Sequence, residues 1–200
     1  MIPGLTFDEA AHVYRFNGVV VPGVTGILKP LIDFTGVPPA VLEAASAFGT
    51  AVHKACELWD LNELDEDQLD GALVPYLDGW KKFSSEHNVQ WTGNEQRVYH
   101  PAMRYAGTLD RKGMVDGCMS YVDIKSSVGL YPSVGPQLAA YKAADAGPPH
   151  SKRYAVQLKA DGEYVLKEYT DPTDWPLFCS LITLRNWCAK NSVTPNYQTK

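Results

Sequence analysis

Apolar residues recur every three to four positions over residues 40–58. Val41, Ala45, Phe48, Val52, Cys56 and Trp59 line one stripe of a predicted helix, with Gly49, His53 and Glu57 in the neighbouring row, four apart. A second stripe, Leu69, Leu73, Tyr76, Trp80 and Phe83, predicts a helix over residues 66–87, with Asp65 and Gln68 as its capping box. The pattern then changes to strands at 95–100, 105–116 and 120–126, with Gly117 at the turn between the last two. A short helix is expected near Pro136, ending before Gly147-Pro148-Pro149. Strands at 153–160 and 163–169 flank Asp161-Gly162, and a last helix covers 172–189.

At the start of the chain, residues 12–16 and 19–21 flank Asn17-Gly18, a pair suited to a two-residue hairpin turn, and Pro22-Gly23 ends the second arm. The order of helix, helix, three strands, helix, strands and helix predicts an α/β (α+β) fold. In it a mixed sheet is flanked by helices and preceded by a β-hairpin. The 200 residues suit one domain, with 1–39 as hairpin and connector and 40–200 as the helical core with its sheet. Neither a repeat nor a low-complexity segment is present.

Composition narrows the partners. The formal charge of -5 supplies no global positive field, so a nucleic-acid partner would need a local basic patch. The four cysteines, Cys56, Cys118, Cys179 and Cys188, include no CxxC pair and read as reduced thiols rather than a zinc site. No basic segment followed by an apolar run opens the chain, and no stretch is apolar for long enough to span a membrane. A soluble, cytoplasmic protein without membrane partners is expected.

The strongest chemical signal is Tyr121-Val122-Asp123-Ile124-Lys125-Ser126. Alternation along a strand sends Val122 and Ile124 to the core face and Asp123 and Lys125 to the other, side by side. The carboxylate can bind a divalent metal and the ammonium can face a phosphate or water. Taken alone, an Asp-x-Lys pair more often belongs to a solvated strand face. Asp110, thirteen positions upstream, changes the balance. A tight hairpin centred near Gly117 sets it opposite Asp123, and two carboxylates at one place call for a proton or a hard cation. Gly107 would allow a neighbour or a substrate to approach the backbone closely.

His53 adds a nitrogen that suits manganese as well as magnesium, although a lone histidine beside a buried stripe is usually a half-buried helix residue. Glu57, one turn later, is either its orienting partner or, more commonly for such a position, a surface acid. Gln137 and Tyr141 share a helix face, where a phosphate-binding pair and a polar residue beside a core tyrosine are equally good descriptions.

Gly49-Thr50-Ala51-Val52-His53, Gly107-Thr108-Leu109-Asp110, Asp123-Ile124-Lys125 and Gln137-Leu138-Ala139-Ala140-Tyr141, in this order, resemble the RecB-like branch of the PD-(D/E)XK nuclease superfamily, which includes phage-type exonucleases. The Val21–Leu28 segment also looks like the opening of many phage members. The resemblance implies a restriction-endonuclease-like core and a Mg²⁺- or Mn²⁺-dependent deoxyribonuclease, an exonuclease more than an endonuclease, working in phage recombination or DNA processing. It implies His53, Asp110, Asp123 and the main-chain carbonyl of Ile124 as metal ligands, with Glu95 as a further acid for a second metal. Lys125 would position or deprotonate the attacking water, and Gln137, Tyr141, Ser126 and Ser127 would lie on the substrate side. DNA is the implied partner, with a single-strand annealing or binding protein as the candidate protein partner. Some relatives hold an iron–sulfur cluster with one early and three late cysteines. Here only Cys179 and Cys188 are late, so no cluster is expected.

The competing reading is a non-catalytic DNA- or partner-binding protein on a degenerate nuclease fold. Intact Asp110, Asp123 and Lys125 weigh against it, because decay usually removes at least one such residue. A structural virion or assembly protein would require the matching residues to be coincidence. Residues 32–39 and 131–136 are candidates for an arch or wedge over the site.

Overall fold

Asn17 and Gly18 both take positive φ, 50° and 79°, as a tight primed turn requires, and they join β2 (Val13–Phe16) to β3 (Val19–Val21). The structure, a computed structural model, describes residues 2–195. The expected hairpin gains a third strand, β1 (Leu5–Asp8), paired antiparallel with β2. Its alternation is only four residues long, with Leu5 buried and Thr6 and Asp8 exposed, which is too short to announce itself in the sequence. A small core of Leu5, Tyr14 and Val21 packs on Tyr99 and Ala106 of the larger sheet, and the Ala106 N–H donates to the Pro22 carbonyl. The next segment forms a buried helical turn, α1 (Val24–Leu28), which the apolar pattern did not predict.

The first long helix, α2 (Pro39–Asp60), exceeds its expected span at both ends. Its stripe is only partly buried. Val41 and Ala45 are exposed, and packing against other elements begins at Phe48 and continues through Val52 and Cys56. The second expected helix is broken. Residues 66–68 form one 3-10 turn, and α3 (Val74–Glu86) begins later. Asp65 and Asp70 accept from the N–H groups of Asp67 and Ala72, local turns that compete with helix. Asp65 therefore caps the 3-10 turn rather than forming a box with Gln68. Pro75 then marks a helix start, because its ring disfavours helical continuation from before it.

Five strands form the main sheet in sequence order: β4 (Gln90–His100), β5 (Tyr105–Val115), β6 (Cys118–Lys125), β7 (Lys152–Leu158) and β8 (Tyr164–Glu168). All neighbours are antiparallel except β6 and β7, which are parallel and joined through α4 (Val134–Ala144). The last helix is α5 (Asp174–Asn191). The expected mixed sheet flanked by helices is therefore the observed architecture.

Both faces of the sheet are covered. On one, Val52 and Cys56 of α2 and Trp80 and Phe83 of α3 pack on Val122, Ile124, Val156 and Leu158. On the other, residues of α1, α4 and α5, including Leu138, Phe178 and Ile182, pack on Tyr105, Leu109, Tyr121 and Ala155. The strand face that carries Asp123 is thus not solvated, and Asp123 is 1% exposed. No described helix is long and apolar enough to cross a membrane.

Candidate metal centre

The β5–β6 ladder runs from Val115 opposite Cys118 to Arg111 opposite Val122, so the next facing pair is Asp110 and Asp123, as the hairpin arithmetic predicts. There the ladder stops. The Asp110 side chain takes over one backbone bond, Oδ2 accepting from the Ile124 N–H at 2.7 Å. The buried strand end is thereby satisfied by a carboxylate instead of a neighbouring carbonyl.

Helix α2 delivers His53 to this opening. Its Nε2 lies 2.9 Å from the Ile124 carbonyl oxygen. A carbonyl only accepts, so Nε2 carries a hydrogen, and Nδ1 is the nitrogen whose lone pair a metal ion would take. Nδ1 stands 3.6 Å from Asp110 Oδ2 and 3.9 Å from Glu95 Oε1. One ligand atom from each of His53, Glu95 and Asp110 lies within 4.8 Å of the others. Ligands at right angles around a hard cation, with bonds of about 2.1–2.6 Å, stand about 3–3.7 Å apart. The His53–Asp110 separation falls inside that range and the His53–Glu95 separation just outside it, so the three atoms need only a small inward movement to share one cation.

Asp123 lies outside that set of three and makes its own case. Lys125 Nζ pairs with Asp123 Oδ2 at 2.7 Å, and among the described residues no other donor reaches either Asp123 oxygen. A carboxylate buried this deeply ordinarily has partners on both oxygens. Burial pushes the Asp123 carboxyl up to about 6; Lys125 opposes the shift and Asp110 adds to it. Burial works to lower the Lys125 ammonium, but Asp123 and Asp110 outweigh it and hold it above its ordinary value. The Glu95 carboxyl rises to about 8, first through burial and then through Asp110. The donor set of one imidazole nitrogen and the carboxylates of Glu95 and Asp110, with the Asp123 carboxylate beside them, fits a hard divalent ion.

Strand β4 starts at Gln90 rather than at residue 95, so Glu95 lies in its middle, and its φ of 44° puts a non-glycine residue in the left-handed region in mid-strand. Such strain persists where surroundings over-determine it, as they often do at functional sites. Glu57 pairs with Lys54 at 2.7 Å and makes no hydrogen bond to His53.

Gln137 and Tyr141 share a face of α4, Gln137 Nε2 donating to the Tyr141 hydroxyl at 3.2 Å. The close approach at Gly107 is to the Tyr141 ring, into which a Cβ would collide. Burial raises the Tyr141 hydroxyl's pKa, so it stays a neutral donor at the edge of the acidic site. Ser126 is half-buried opposite Gly49 of α2, and the Ser127 hydroxyl donates to the Gly129 carbonyl. All four cysteines are free.

Sequence reasoning missed Arg111 and Asp60. Arg111 is wholly buried with its guanidinium on Asp60, Glu95 and the Asp110 carbonyl. A signal existed: Arg111, Gly113 and Val115 share one strand face, so an arginine stood at a core position and needed an acid.

No family model and no curated protein matches the chain. Among solved structures, the chain is similar to an alkaline exonuclease from Laribacter hongkongensis, at 12% identity and TM-score 0.42, over 85% of this chain and 91% of that one. It is similar also to the same exonuclease in complex with dAMP, at 11% identity and TM-score 0.45, over 86% and 93%.

Proposed function

We propose that the chain is a Mg²⁺- or Mn²⁺-dependent deoxyribonuclease, an exonuclease in the first instance, acting in phage recombination or DNA processing as a single domain. One observation carries this reading. A histidine nitrogen and two carboxylates converge beside a buried carboxylate whose one polar partner is a lysine held as ammonium.

In this reading His53, Asp110, Asp123 and the Ile124 carbonyl hold the ion, with Glu95 as a further ligand. The ion, when bound, supplies positive charge at a phosphoryl oxygen and makes hydroxide available near neutral pH. Lys125 keeps its proton against Asp123 and Asp110, so it acts as a donor, orienting the attacking water and offsetting negative charge that develops at phosphorus. Asp123 fixes the direction of that ammonium. Gln137, Tyr141 and Ser126 offer polar contacts to the scissile strand, and Ser127 shapes the loop beside it. DNA is the partner, with a single-strand annealing or binding protein as its protein companion.

The test is incubation with end-labelled linear and with circular DNA, single- and double-stranded, with Mg²⁺, Mn²⁺ or a chelator. Degradation of linear DNA from its ends, lost with chelator, is expected. Cutting of circles would make it an endonuclease, and no cleavage of any substrate would overturn the reading.

A further inference from the structure

We propose that Asp60 and Arg111 are positioning residues that act through Glu95, holding its carboxylate and helix α2 in place at the metal centre; this rests on the metal-dependent reading above. The Arg111 guanidinium touches three elements of the site at once. Its Nε donates to Asp60 Oδ2 at 2.6 Å on α2, and its Nη1 donates to Glu95 Oε1 at 3.3 Å on β4 and to the Asp110 carbonyl at 2.7 Å on β5. Asp60 is itself fixed, its Oδ1 accepting from Trp80 Nε1 at 3.1 Å. The guanidinium lies 5.5 Å over the Trp80 ring.

Two features separate this cluster from ordinary core packing. Arg111 is fully buried and its Nη2 has no partner, so the arrangement is not the one that would maximise stability. Apolar residues of similar volume commonly replace a buried ion pair at no cost, so its presence here calls for another role. The pair is also aimed. Asp60 follows His53 by seven residues, two helical turns, and therefore lies on the same face of α2. The grip of Asp60 on Arg111 thus sets the height of the helix that carries His53. The opposite prong of the same rigid fork holds Glu95, whose left-handed backbone needs an outside restraint.

The experiment measures Mn²⁺ affinity by calorimetry in the whole chain for wild type, Asp60→Asn, Arg111→Lys, Glu95→Gln and the Asp60→Asn/Glu95→Gln double variant. Circular dichroism checks that each is folded, and DNA cleavage is read as kcat and KM. Asp60→Asn and Arg111→Lys are expected to raise the Mn²⁺ Kd about 10- to 100-fold, the range for partners that orient ligands. Cleavage should recover at high Mn²⁺ with KM for DNA unchanged. Because part of the Asp60 effect passes through Glu95 and part through the helix that carries His53, the loss in the double variant should be clearly smaller than the sum of the two single losses. Unchanged Mn²⁺ affinity in folded Asp60→Asn, or fully additive losses, would overturn the proposal; if Arg111→Lys fails to fold, Asp60→Asn and the double variant decide. A wild type that binds Mn²⁺ and cleaves DNA while Asp60→Asn behaves identically defeats only this inference. A wild type that does neither defeats the nuclease reading itself.

Discussion

Two aspartates beside lysines on the same sheet have opposite surroundings. Asp145, at the end of α4, is saturated: Oδ2 accepts from the Tyr121 hydroxyl at 2.6 Å and pairs with Lys112 Nζ at 2.5 Å, and Oδ1 accepts from Gln96. Asp123 has Lys125 at 2.7 Å and no other donor on either oxygen. The first ties α4 to three strands and leaves nothing for a ligand. The second is more deeply buried and less satisfied, a combination that folding alone disfavours. Acidity and a nearby lysine do not distinguish structure from chemistry here; unspent acceptor capacity does.

The largest expected effect separates the two lysines. Lys125→Ala should lower DNA cleavage by about a hundredfold or more, as loss of one group that stabilises developing charge does. Lys112→Ala should leave kcat near normal and lower the melting temperature, since Asp145 keeps Tyr121 and Gln96. Equal activity losses in a cleavage assay would erase the contrast.

The aspartates themselves should respond in opposite directions. Asp145→Asn should destabilise by about 1–3 kcal/mol, because it disturbs a satisfied network, with Mn²⁺ affinity unchanged. Asp123→Asn and Asp110→Asn should abolish tight Mn²⁺ binding and raise the metal-free melting temperature by relieving repulsion. Calorimetry and melting curves on the three variants check this, and a metal-free Asp123→Asn protein less stable than wild type would contradict it.

The dependence on pH follows from the raised carboxyls. Their ordinary value is about 4, whereas the folded chain holds Asp123 at about 6 and Glu95 at about 8. Between those limits the folded state keeps protons that the unfolded state has lost, so stability falls as pH rises. The penalty is absent below about pH 4 and complete once pH has passed the folded value of about 8. Metal-free protein should therefore melt earlier at pH 8.5 than at pH 5.5 by roughly a few degrees, and added Mn²⁺ should protect it more at the higher pH. A metal-free melting temperature that rises across this window would reverse the sign.

The smallest effect concerns His53. His53→Ala should weaken Mn²⁺ binding and shift the metal requirement for cleavage, while Val52 and Cys56 on the adjacent face keep α2 packed. An earlier melt with the metal requirement untouched would make His53 a packing residue.

The pairing of Asp110 with Asp123 was legible because a short antiparallel hairpin has one register once its turn is known, and Gly117, with φ 75°, is that turn. The common face of Gln137 and Tyr141 was legible for a similar reason, since helical spacing is local. Other elements resisted. The helix over 66–87 breaks at turns whose side-chain bonds compete with its apolar stripe, and Val41 and Ala45 stay exposed because, among the described residues, α2 packs into the core only from Phe48 onward.

The sequence by itself determined which residues carry charge, which face of each element they occupy and where β5 turns into β6, because the backbone periodicities that set these act over a few residues. Tertiary structure alone decided that the Asp123 face is dry, that His53 meets the Ile124 carbonyl 71 residues away and that Arg111 bridges to Asp60 across 51 residues. Those outcomes depend on how α2 and α4 dock on opposite faces of one sheet. Docking is a sum of many weak contacts between distant segments, and no local pattern along the chain records it.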